Sequence, residues 1–549
     1  MNDPITTGYM PPADARTAAS LLLLRDGPEG LEVLMLRRAE RDGDLRSGAA
    51  VFPGGVLDPR DRAAHPCTLG PDDALASTQL GLAAGGLDYL VAAVRETFEE
   101  VGLLLAEGNF DLAALAPWRE RLQQGTAGAA DLCREEGLWL DLRGLVYFSH
   151  WLTPPGLPKR FDTRFFMALA PPGQVAQADL GEALELMWLT PAQALAPARG
   201  LKLLPVTQRT LREIGHHPSA AAAMEAARAR PRVPLTMPRR ATSARGMRIV
   251  LPDELPYAEV ARLDPDGRGD AFADLVAGRA VQLSPHIWRV TAPNPGPMTG
   301  PGTNTYLVGQ DQSWTVIDPG PHSEPHLQAL LSAVPGRVTQ ILVTHTHKDH
   351  SPGAVALAAA TGATVLGRVA LHAEWQDADF APTRELAAGE RLPLGEGCTL
   401  RVIHTPGHAS NHLCYLLEEE KTLFTGDHVM QGSTVVINPP DGDMSAYLNS
   451  LGALLEIELD WLAPGHGFLV ERPHDVLRGL IAHRLRRQAK VLAALQASTA
   501  APLDELLPLV YDDVPAALHP MARRSLLAHL LKLQADAVAQ QVQERWSAR

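Results

Sequence analysis

The stretch His345-Thr346-His347-Lys348-Asp349-His350 decides the fold of the second half of this chain. It places three imidazoles and one carboxylate directly after the apolar, strand-length segment 338–343 and before the turn-forming segment 351–353. Neutral imidazole and carboxylate are ligands that Zn²⁺, Mn²⁺ and Fe²⁺ accept in proteins. The alternative, a solvated histidine-rich loop, is disfavoured by three related motifs downstream.

Each of these later motifs places a His or Asp in a small-residue turn just after an apolar run. They are Thr405-Pro406-Gly407-His408, Thr425-Gly426-Asp427-His428 and Ala463-Pro464-Gly465-His466-Gly467. Strand ends that present ligands through glycine-containing turns allow a rigid sheet to build a site on its loops. One such turn is weak evidence, but four in this order indicate a metal site.

These motifs resemble those of the metallo-β-lactamase superfamily of dinuclear hydrolases, over about residues 283–470. The resemblance implies an αββα sandwich with metals at one edge of the sheets. Carried over by position, His345, His347 and His408 are expected to hold one ion. Asp349, His350 and His466 are expected to hold the other, with Asp427 bridging the two and Asp318 bracing the ligand loop. His428 lies outside this set and is expected to be a neighbour.

The implied chemistry is hydrolysis of an ester, thioester or phosphodiester, with Asp349 and Asp427 in catalytic roles. Two adjacent ions lower the pKa of a bridging water, so that hydroxide is present at neutral pH, and they polarise the scissile group. We expect two zinc ions, although iron and manganese suit the same ligands.

Two further segments narrow the resemblance to the β-lactamase-like protein 2 branch. They are 294–308, which contains Asn304, and 447–451, before the last ligand loop. From this we expect Asn304 to contact substrate and a winged-helix-like segment to follow at 473–540. That branch includes thioesterase-like enzymes and a single-strand endoribonuclease.

The expected C-terminal helices, His483–Leu495 and Leu518–Leu533, are rich in basic residues. Those residues are Arg484, Arg486, Arg487, Lys490, Arg523, Arg524 and Lys532. Such helices would suit the phosphates of single-stranded RNA. The alternative, which we favour, is that they are solvated faces packed on the hydrolase domain.

The N-terminal half carries a second cluster, Arg95-Glu96-Thr97-Phe98-Glu99-Glu100-Val101-Gly102. On a helix, Glu96, Glu99 and Glu100 share one face. Carboxylates so close together repel unless a cation joins them, and clustered oxygens favour Mg²⁺ or Mn²⁺. The alternative is an exposed acidic helix, which the upstream stretch Phe52-Pro53-Gly54-Gly55 disfavours.

Together these segments resemble a Nudix box within an α/β/α sandwich, over about residues 15–200. The resemblance implies metal binding by Glu96, Glu99 and Glu100, catalytic roles for Glu96 and Glu100, and cleavage of a nucleoside-diphosphate-linked compound. Leu87 stands where the box has a glutamate, usually a salt-bridge partner within the helix, and about thirty residues are inserted from Pro59 to Gly86. The coenzyme-A-directed Nudix branch shows the same interruption. A degraded domain that binds without cleaving remains the alternative.

Basic residues after the insertion are candidate phosphate contacts, namely Lys159, Arg160 and Arg164. A surface strand edge explains them equally well. Glu182 and Glu185 are weaker candidates for a further metal ligand.

Length and composition fit a multidomain α/β protein. The chain of 549 residues suggests a Nudix domain at 1–260, a linker at 261–280, a metallo-β-lactamase-type domain at 281–472 and a winged-helix-like domain at 473–549. Cys67, Cys133, Cys398 and Cys414 form no disulfide or Cys-x-x-Cys pattern, which favours a reducing compartment. With no secretion signal or membrane-spanning stretch, we expect a cytoplasmic protein without a membrane partner. Composition suggests a GC-rich bacterial source.

The preferred hypothesis is a hydrolase with two sites, one acting on a thioester and the other on coenzyme A or acyl-CoA. A net charge of −14 argues against general polyanion binding by the whole chain. The second hypothesis is a single-strand endoribonuclease with a regulatory or degraded Nudix domain. The third is a non-enzymatic nucleotide sensor, and β-lactamase activity is disfavoured by the cytoplasmic expectation. The sequence does not specify an oligomeric state.

Overall fold

The computed structural model describes residues 9–39, 47–178 and 183–549, which form two compact units. The first unit runs to Ala241 and includes Met247–Pro252 and Asp266–Asp270. The second comprises Thr242–Gly246, Asp253–Pro265 and Ala271–Arg549. Among the described residues, no helix combines the length and the apolarity needed to cross a membrane.

The first unit alternates strands and helices. Its strands are β1 (Ala15–Gly27), β2 (Gly30–Arg38), β3 (Ala49–Val51), β4 (Gly54–Val56), β5 (Thr68–Leu69), β6 (Ala106–Glu107), β7 (Trp139–Asp141), β8 (Val146–Leu152), β9 (Arg160–Leu169), β10 (Ala183–Leu189), β11 (Lys202–Leu203) and β12 (Leu235–Thr236). Its helices are α1 (Asp73–Leu80), α2 (Gly86–Val101), α3 (Ala116–Gln123), α4 (Ala129–Glu136), α5 (Pro191–Leu195), α6 (Pro205–Ile214) and α7 (Ala220–Arg228), with short 3-10 segments at Pro59–Cys67 and Pro197–Arg199. Strands β13 (Arg239–Ser243) and β14 (Gly246–Val250) follow.

The main sheet of the first unit is mixed, with the order β11-β3-β2-β1-β9-β8-β12; β4 and β10 pair with β1 and β2. Alternate residues of β1 pack on opposite faces, because side chains alternate along a strand. Leu21 and Leu23 pack with α2, whereas Leu22 and Leu24 pack with α6 and α7. The α/β/α sandwich expected from the Nudix resemblance is therefore confirmed.

Helix α2 carries the glutamate cluster on a firmly held scaffold. Its apolar side chains, including Val91, Val94 and Phe98, are buried against the sheet. The helix ends at Gly102, whose φ of +69° places it in the left-handed conformation that glycine adopts without strain. The insertion before α2 is structured: the 3-10 segment Pro59–Cys67, β5 and α1 occupy it.

The second unit contains two packed sheets flanked by helices. Its elements before the C-terminal segment are α8 (Tyr257–Leu263), β15 (Ala280–Ser284), β16 (Ile287–Thr291), β17 (Asn304–Gln310), β18 (Ser313–Ile317), α9 (Glu324–Ala333), β19 (Arg337–Leu342), α10 (Gly353–Thr361), β20 (Thr364–Gly367), β21 (Arg384–Glu385), β22 (Arg391–Gly395), β23 (Cys398–His404), β24 (Leu413–Leu417), β25 (Thr422–Gly426), α11 (Met444–Leu454), β26 (Trp461–Pro464) and β27 (Val470–Glu471).

One sheet runs from β15 to β21 in chain order, and the other from β22 to β27. Tyr306 and Ile317 of the first sheet share a buried core with Tyr415 and Phe424 of the second. The outer faces are covered by α9 and α10 on one side and by α11 on the other. This arrangement confirms the expected αββα sandwich.

The C-terminal segment contains α12 (Pro473–Ala497), β28 (Ala501–Pro502), α13 (Leu503–Val510), a 3-10 turn (Ala516–Leu518), α14 (His519–Ala535), β29 (Ala539–Val542) and β30 (Arg545–Ala548). Its strands form a small sheet in the order β28-β30-β29, packed on the helices around the buried Trp546. Helix α12 begins ten residues before the predicted His483, with a proline in its first turn, and both α12 and α14 end two residues beyond their predicted ends.

The boundary predicted at residue 260 differs from the structure. Helix α8 belongs to the second unit, because its buried Glu259 forms a two-pronged ion pair with Arg289 of β16, at 2.6 and 2.8 Å. Glu259 also accepts the backbone N–H of Leu469. A buried carboxylate with these partners ties its helix to the sandwich, which the charge pattern alone did not reveal.

Candidate functional site

The ends of four strands place the predicted ligands in the second unit. The loop after β19 carries His345, His347, Asp349 and His350, and the loops after β23, β25 and β26 carry His408, Asp427 and His466. Space at this point is tight: a Cβ on Gly465 would lie 2.8 Å from the ring of His350 and 2.9 Å from Asp427. Glycine is therefore required where the last loop approaches the others.

The first three histidines converge on one point. His345 Nε2 lies 2.9 Å from His347 Nδ1, which lies 3.0 Å from His408 Nε2. Three ring nitrogens this close cannot all carry protons, and a shared cation is what such a group accommodates. The structure thus brings together the whole first ligand set.

The second group consists of two carboxylates and two imidazoles. His466 Nε2 lies 3.4 Å from Asp349 Oδ2 and 3.3 Å from Asp427 Oδ1, and His350 Nε2 lies 3.5 and 3.4 Å from the same two oxygens. The other oxygen of Asp427, Oδ2, lies 3.8 Å from His408 Nε2. Asp427 therefore faces both groups, as a bridging ligand must.

Hydrogen bonds behind the ligands fix which nitrogen faces the site. His345 Nδ1 is bonded to Thr344 Oγ1, at 3.0 Å, and His350 Nδ1 to Asp318 Oδ2, at 2.8 Å. The Nδ1 atoms of His408 and His466 face the carbonyl oxygens of Val436 and Gly302. Nδ1 of each of these four rings is therefore engaged behind the site, and Nε2 is the atom that faces it.

Three of the ligand atoms in the second group make no hydrogen bond within the described part of the chain. Among the described residues, His350 Nε2, His466 Nε2 and Asp427 Oδ1 are buried without a hydrogen-bond partner. Buried polar atoms normally make hydrogen bonds, so three that make none are suited to bind a cation. The residues present fit a pair of divalent ions, which the implied family chemistry requires.

Asp318 braces the main ligand loop. Its Oδ1 accepts the backbone N–H of Thr344 and its Oδ2 accepts the Thr344 hydroxyl, both at 2.7 Å, while Oδ2 also receives His350. The residue is buried and has a φ of +51°, a conformation that aspartate tolerates better than most residues. This is the bracing role that the resemblance implied.

The pKa values of the histidines differ between the two ligand groups. Burial lowers the pKa of His347 to about 3, with nearby His408 adding to the effect. Burial opposes a charge on His466 as well, yet Asp427 and Asp349 raise the pKa of this imidazole to about 9. The second group therefore attracts positive charge, whereas the first offers neutral imidazoles.

Sequence reasoning missed His412, which stands four residues after His408. Its ring is fully buried and stacks on His345 with the ring centroids 5.0 Å apart, and its Nδ1 bonds to Thr405. His428 is also buried, and its ring lies 5.8 Å from that of His412. Both rings lie behind the ligands. The four-residue spacing between His408 and His412 could have indicated from the sequence that His412 lies near the site.

A loop at residues 368–377, called here the rim loop, is clamped to the ligand loops. Gln376 accepts the hydroxyl of Thr346, which stands between two ligands, at 2.6 Å, and its amide donates to Asp441. At the other end, Asn411 donates to the carbonyl oxygen of Arg368. Between these clamps, Leu371 is 82% exposed and Trp375 is 54% exposed. The rim loop therefore presents apolar side chains beside the metal site.

Asn304, expected to contact substrate, lies elsewhere. It is fully buried, and its amide nitrogen donates to the carbonyl oxygens of Pro464 and Gly467, at 3.0 and 2.8 Å. Its backbone N–H bonds to Gly465. Asn304 thus braces the His466 loop from behind, because the turn around that ligand leaves carbonyl groups that need buried donors.

In the first unit, the structure explains the missing glutamate at position 87. Arg95 forms a two-pronged pair with Asp61, whose Oδ1 lies 2.7 Å from Nε and whose Oδ2 lies 3.1 Å from Nη2. Asp61 is 1% exposed and belongs to the inserted 3-10 segment. The insertion therefore supplies the partner that Leu87 cannot.

The three glutamates of α2 are grouped, but each has a partner. Arg95 Nη1 donates to both Glu96, at 2.8 Å, and Glu99, at 2.9 Å, whereas Glu100 accepts the N–H of Gly54, at 2.8 Å. Burial raises the pKa of Glu96 to about 7, although Arg95 opposes this. A Cβ on Gly55 would lie 2.4 Å from the Glu96 carboxylate, so the glycine pair sits over the cluster.

The basic residues after the insertion differ in exposure. Lys159 is exposed, Arg160 pairs with Asp14 at 2.6 Å, and Arg164 is fully buried beside Asp162. Of these three residues, Lys159 alone is exposed, as a residue at a surface strand edge would be. Glu185 is exposed, and Glu182 lies outside the described residues.

Most basic side chains of the C-terminal helices are engaged within the unit. Arg484 is buried and donates to the carbonyl oxygen of Val435, and Arg487 is buried against Asp513, at 2.7 Å. Lys490 pairs with Asp512, and Arg524 lies 5.0 Å from the centre of the Trp375 ring. Arg486 is exposed. Most of these basic side chains therefore have contacts within the unit.

Comparison with known proteins agrees with this geometry. Residues 298–466 match the family model described as "Metallo-beta-lactamase superfamily". The "Lactamase-like protein aptB" of Emericella nidulans is 32% identical over 44% of this chain and 81% of that protein. The chain belongs to the metallo-β-lactamase superfamily. It is 31% identical to the "Beta-lactamase-like protein 2 homolog" of Drosophila melanogaster, over 46% of this chain and 90% of that protein.

The remaining matches complete the domain picture. Residues 82–203 match the "NUDT19 Nudix domain" and residues 503–546 the "Beta-lactamase associated winged helix domain". The "Atrochrysone carboxyl ACP thioesterase" of Aspergillus chevalieri is 32% identical over 46% of this chain and 83% of that protein. The protein is a metallo-β-lactamase-fold hydrolase fused to a Nudix domain and a winged-helix domain, and both hydrolase families imply divalent metal ions.

Proposed function

We propose that the second unit is a dinuclear thioesterase. The observation that carries this is Asp427, whose two oxygens face two separate groups of ligand atoms. Two bound ions, zinc or alternatively iron or manganese, would supply an activated water and polarise the thioester carbonyl. His345, His347 and His408 would hold one ion, and Asp349, His350 and His466 would hold the other, with Asp349 and Asp427 placed to orient the attacking water.

The choice of a thioester among possible esters is supported by two features. The relative from Aspergillus chevalieri is named a thioesterase, and the rim loop presents Leu371 and Trp375 to solvent beside the ligands. Exposed apolar side chains held by a clamped loop suit the acyl chain of a thioester better than the charged backbone of RNA.

We propose further that the Nudix domain cleaves a nucleoside-diphosphate-linked compound, with coenzyme A or acyl-CoA as the first candidate. Glu96, Glu99 and Glu100 would bind Mg²⁺ or Mn²⁺ through carboxylate oxygens, and Glu96 or Glu100 would act on the attacking water. Support comes from the buried salt bridge between Arg95 and Asp61, in which the insertion supplies a carboxylate partner for the arginine of the box.

The test is product analysis of an acyl-CoA mixture by mass spectrometry with the wild-type protein, His347→Ala and Glu100→Gln. Free coenzyme A that disappears only in His347→Ala supports the thioesterase. Adenosine 3′,5′-bisphosphate that disappears only in Glu100→Gln supports the Nudix activity on coenzyme A. If the wild-type protein, loaded with Zn²⁺, Mn²⁺ or Mg²⁺, forms neither product, both substrate proposals are wrong.

A chain-length series sharpens the role of the rim loop. We expect long-chain acyl-CoA to be hydrolysed with a lower KM than acetyl-CoA, and Trp375→Ala to remove that difference while leaving acetyl-CoA hydrolysis unchanged. Equal KM values across the series would show that the rim loop does not bind the acyl chain.

A further inference from the structure

A buried polar cluster in the first unit surrounds Arg164, one of the basic residues that the sequence suggested as phosphate contacts. It consists of Tyr89 on α2, Tyr147 and His150 on β8, and Asp162 and Arg164 on β9, and is called here the Arg164 cluster. His150, Asp162 and Arg164 are 0% exposed, and Tyr89 is 3% exposed. Polar groups buried this deeply are costly unless they are hydrogen-bonded.

The carboxylate in the cluster is fully used. Asp162 receives His150 Nε2 at 2.7 Å, the Tyr9 hydroxyl at 2.5 Å and Arg164 Nη1 at 3.2 Å. These hydrogen bonds hold the pKa of Asp162 below its usual value, although burial opposes this. Asp162 is therefore an ionised acceptor whose capacity is taken up inside the cluster.

The donors in the cluster are in excess. Among the described residues, Arg164 Nε and Nη2 and the hydroxyl of Tyr147 are buried without a hydrogen-bond partner. The central carbon of the guanidinium lies 4.4 Å from the centre of the Tyr89 ring. Burial keeps the pKa of Tyr147 well above its usual value, so this hydroxyl remains protonated. Unused donors on a buried cation call for an oxygen-rich anionic acceptor.

Strand register connects the cluster to the Nudix carboxylates. Ala19 pairs with Gly55 on one side and with Arg164 on the other, and Arg164 pairs with His150. Ala19 and Phe166 pack on the α2 face of the sheet, so Arg164, two residues before Phe166, points to the same face. With neighbouring strands about 4.8 Å apart, Arg164 lies about 10 Å along this row from Gly55, which sits over Glu96.

We propose that Arg164 and Tyr147 form a second binding position of the Nudix site, which takes a phosphate group of the substrate. The proposal rests on the proposed Nudix function, because the row of residues leads from the metal-binding glutamates to the cluster. Tyr9 covers this position: its hydroxyl bonds to Asp162, and its ring lies 5.1 Å from that of His150, edge to face. The side chain of Tyr9 must move before a ligand can enter.

The test is equilibrium binding of ADP, with inorganic phosphate as a second probe, to the full chain carrying Glu100→Gln in the presence of Mg²⁺. Tyr147→Phe removes a single hydroxyl and keeps the ring, so the variant should fold as its parent does. We expect it to weaken ADP binding about tenfold, and Arg164→Met to weaken it further, because each removes a donor to a charged oxygen. Arg16→Met, an exposed basic residue of β1, is the matched control and should leave binding within about twofold.

Tyr9→Ala should tighten ADP binding, since the covering side chain no longer competes. If Tyr147→Phe is folded and binds both probes as tightly as its parent, the second position does not exist. Inorganic phosphate that binds without dependence on Arg164 also overturns it. These outcomes are independent of coenzyme A turnover: ADP binding that needs Arg164 while coenzyme A is not cleaved would reject the substrate and retain the binding position.

Discussion

The histidine cluster of the second unit and the glutamate cluster of α2 differ in what their ligand atoms face. In the histidine cluster, Nε2 of His350 and of His466 and Oδ1 of Asp427 face one another at 3.3–3.4 Å and make no hydrogen bond among the described residues. In the glutamate cluster, Arg95 bridges Glu96 and Glu99, and Glu100 accepts a backbone N–H. The first site is preorganised for cations, whereas the second must exchange protein partners for a metal.

This difference has a physical origin. Imidazoles held by hydrogen bonds at Nδ1 cannot turn their free lone pairs elsewhere, so the fold keeps them available. Carboxylates on adjacent helical turns repel, and a neighbouring guanidinium relieves that repulsion. Metal binding at the histidine cluster should therefore be tight, and at the glutamate cluster weaker and dependent on substrate.

Asp427→Asn should give the largest effect, because it disrupts the preorganised cluster at the residue that faces both groups. Loss of a bridging charge removes several kcal/mol of stabilisation, so hydrolysis of a thioester should fall about a thousandfold. Metal analysis of the purified variant should show fewer bound ions than the wild type. Asp311→Asn, at an exposed position, is the control, and wild-type rates in Asp427→Asn would contradict the bridging role.

Asp61→Asn tests the other side of the comparison. It removes one of the three carboxylate charges around the buried Arg95 guanidinium, and breaking a buried pair costs up to about 3–5 kcal/mol. Hydrogen exchange of α2 in the full chain should accelerate strongly. The control is Asp58→Asn in the same segment, because asparagine caps a helix about as well as aspartate. Unchanged protection in Asp61→Asn would mean that Arg95 does not depend on the insertion.

Asp318→Asn should have an intermediate effect. The amide can no longer accept from both Thr344 and His350, so the ligand loop loosens and metal affinity should fall about 10–100-fold. Asparagine tolerates a positive φ, as aspartate does, so the backbone at this residue is not strained. Competition with a metal chelator measures the affinity, and an unaltered value would show that the ligands hold their geometry without this brace.

The pH dependence of the glutamate cluster should be smaller but diagnostic. Because burial raises the pKa of Glu96 to about 7 from its usual 4.5, protons compete with Mg²⁺ below about pH 7. Metal affinity and Nudix rate should therefore rise between pH 6 and 8, by up to about tenfold per unit. The same shift makes Glu96 contribute stability that is present below about pH 4.5 and lost as pH rises through about 7. Glu96→Gln should flatten the metal-affinity profile, and a profile that remains steep would assign the titration to another group.

Sequence patterns predicted the ligands of the histidine cluster because their spacing follows from strands that end at one edge. They did not predict Asp61 as the partner of Arg95, because the two are 34 residues apart and meet only through the insertion. Asn304 was predicted to contact substrate, and it lies next to the His466 loop but on the side that faces away from the ligands. Burial of Arg484 and Arg487 was equally hidden, since basic residues on a helix read as exposed until the packed face is known.

The smallest effect on stability is expected from Arg486→Glu. It tests whether the basic residues of the C-terminal helices, like Arg95, are already paired within the protein. Arg484, Arg487 and Lys490 have partners within the unit, whereas Arg486 is exposed and can be reversed without breaking a described ion pair. Stability should change by less than about 0.5 kcal/mol, as for other exposed sites. Binding to single-stranded RNA, followed against salt concentration, should be equally weak before and after the change. A steep salt dependence in the wild-type protein that Arg486→Glu reduces would instead show that α12 binds phosphates and would revive the endoribonuclease hypothesis.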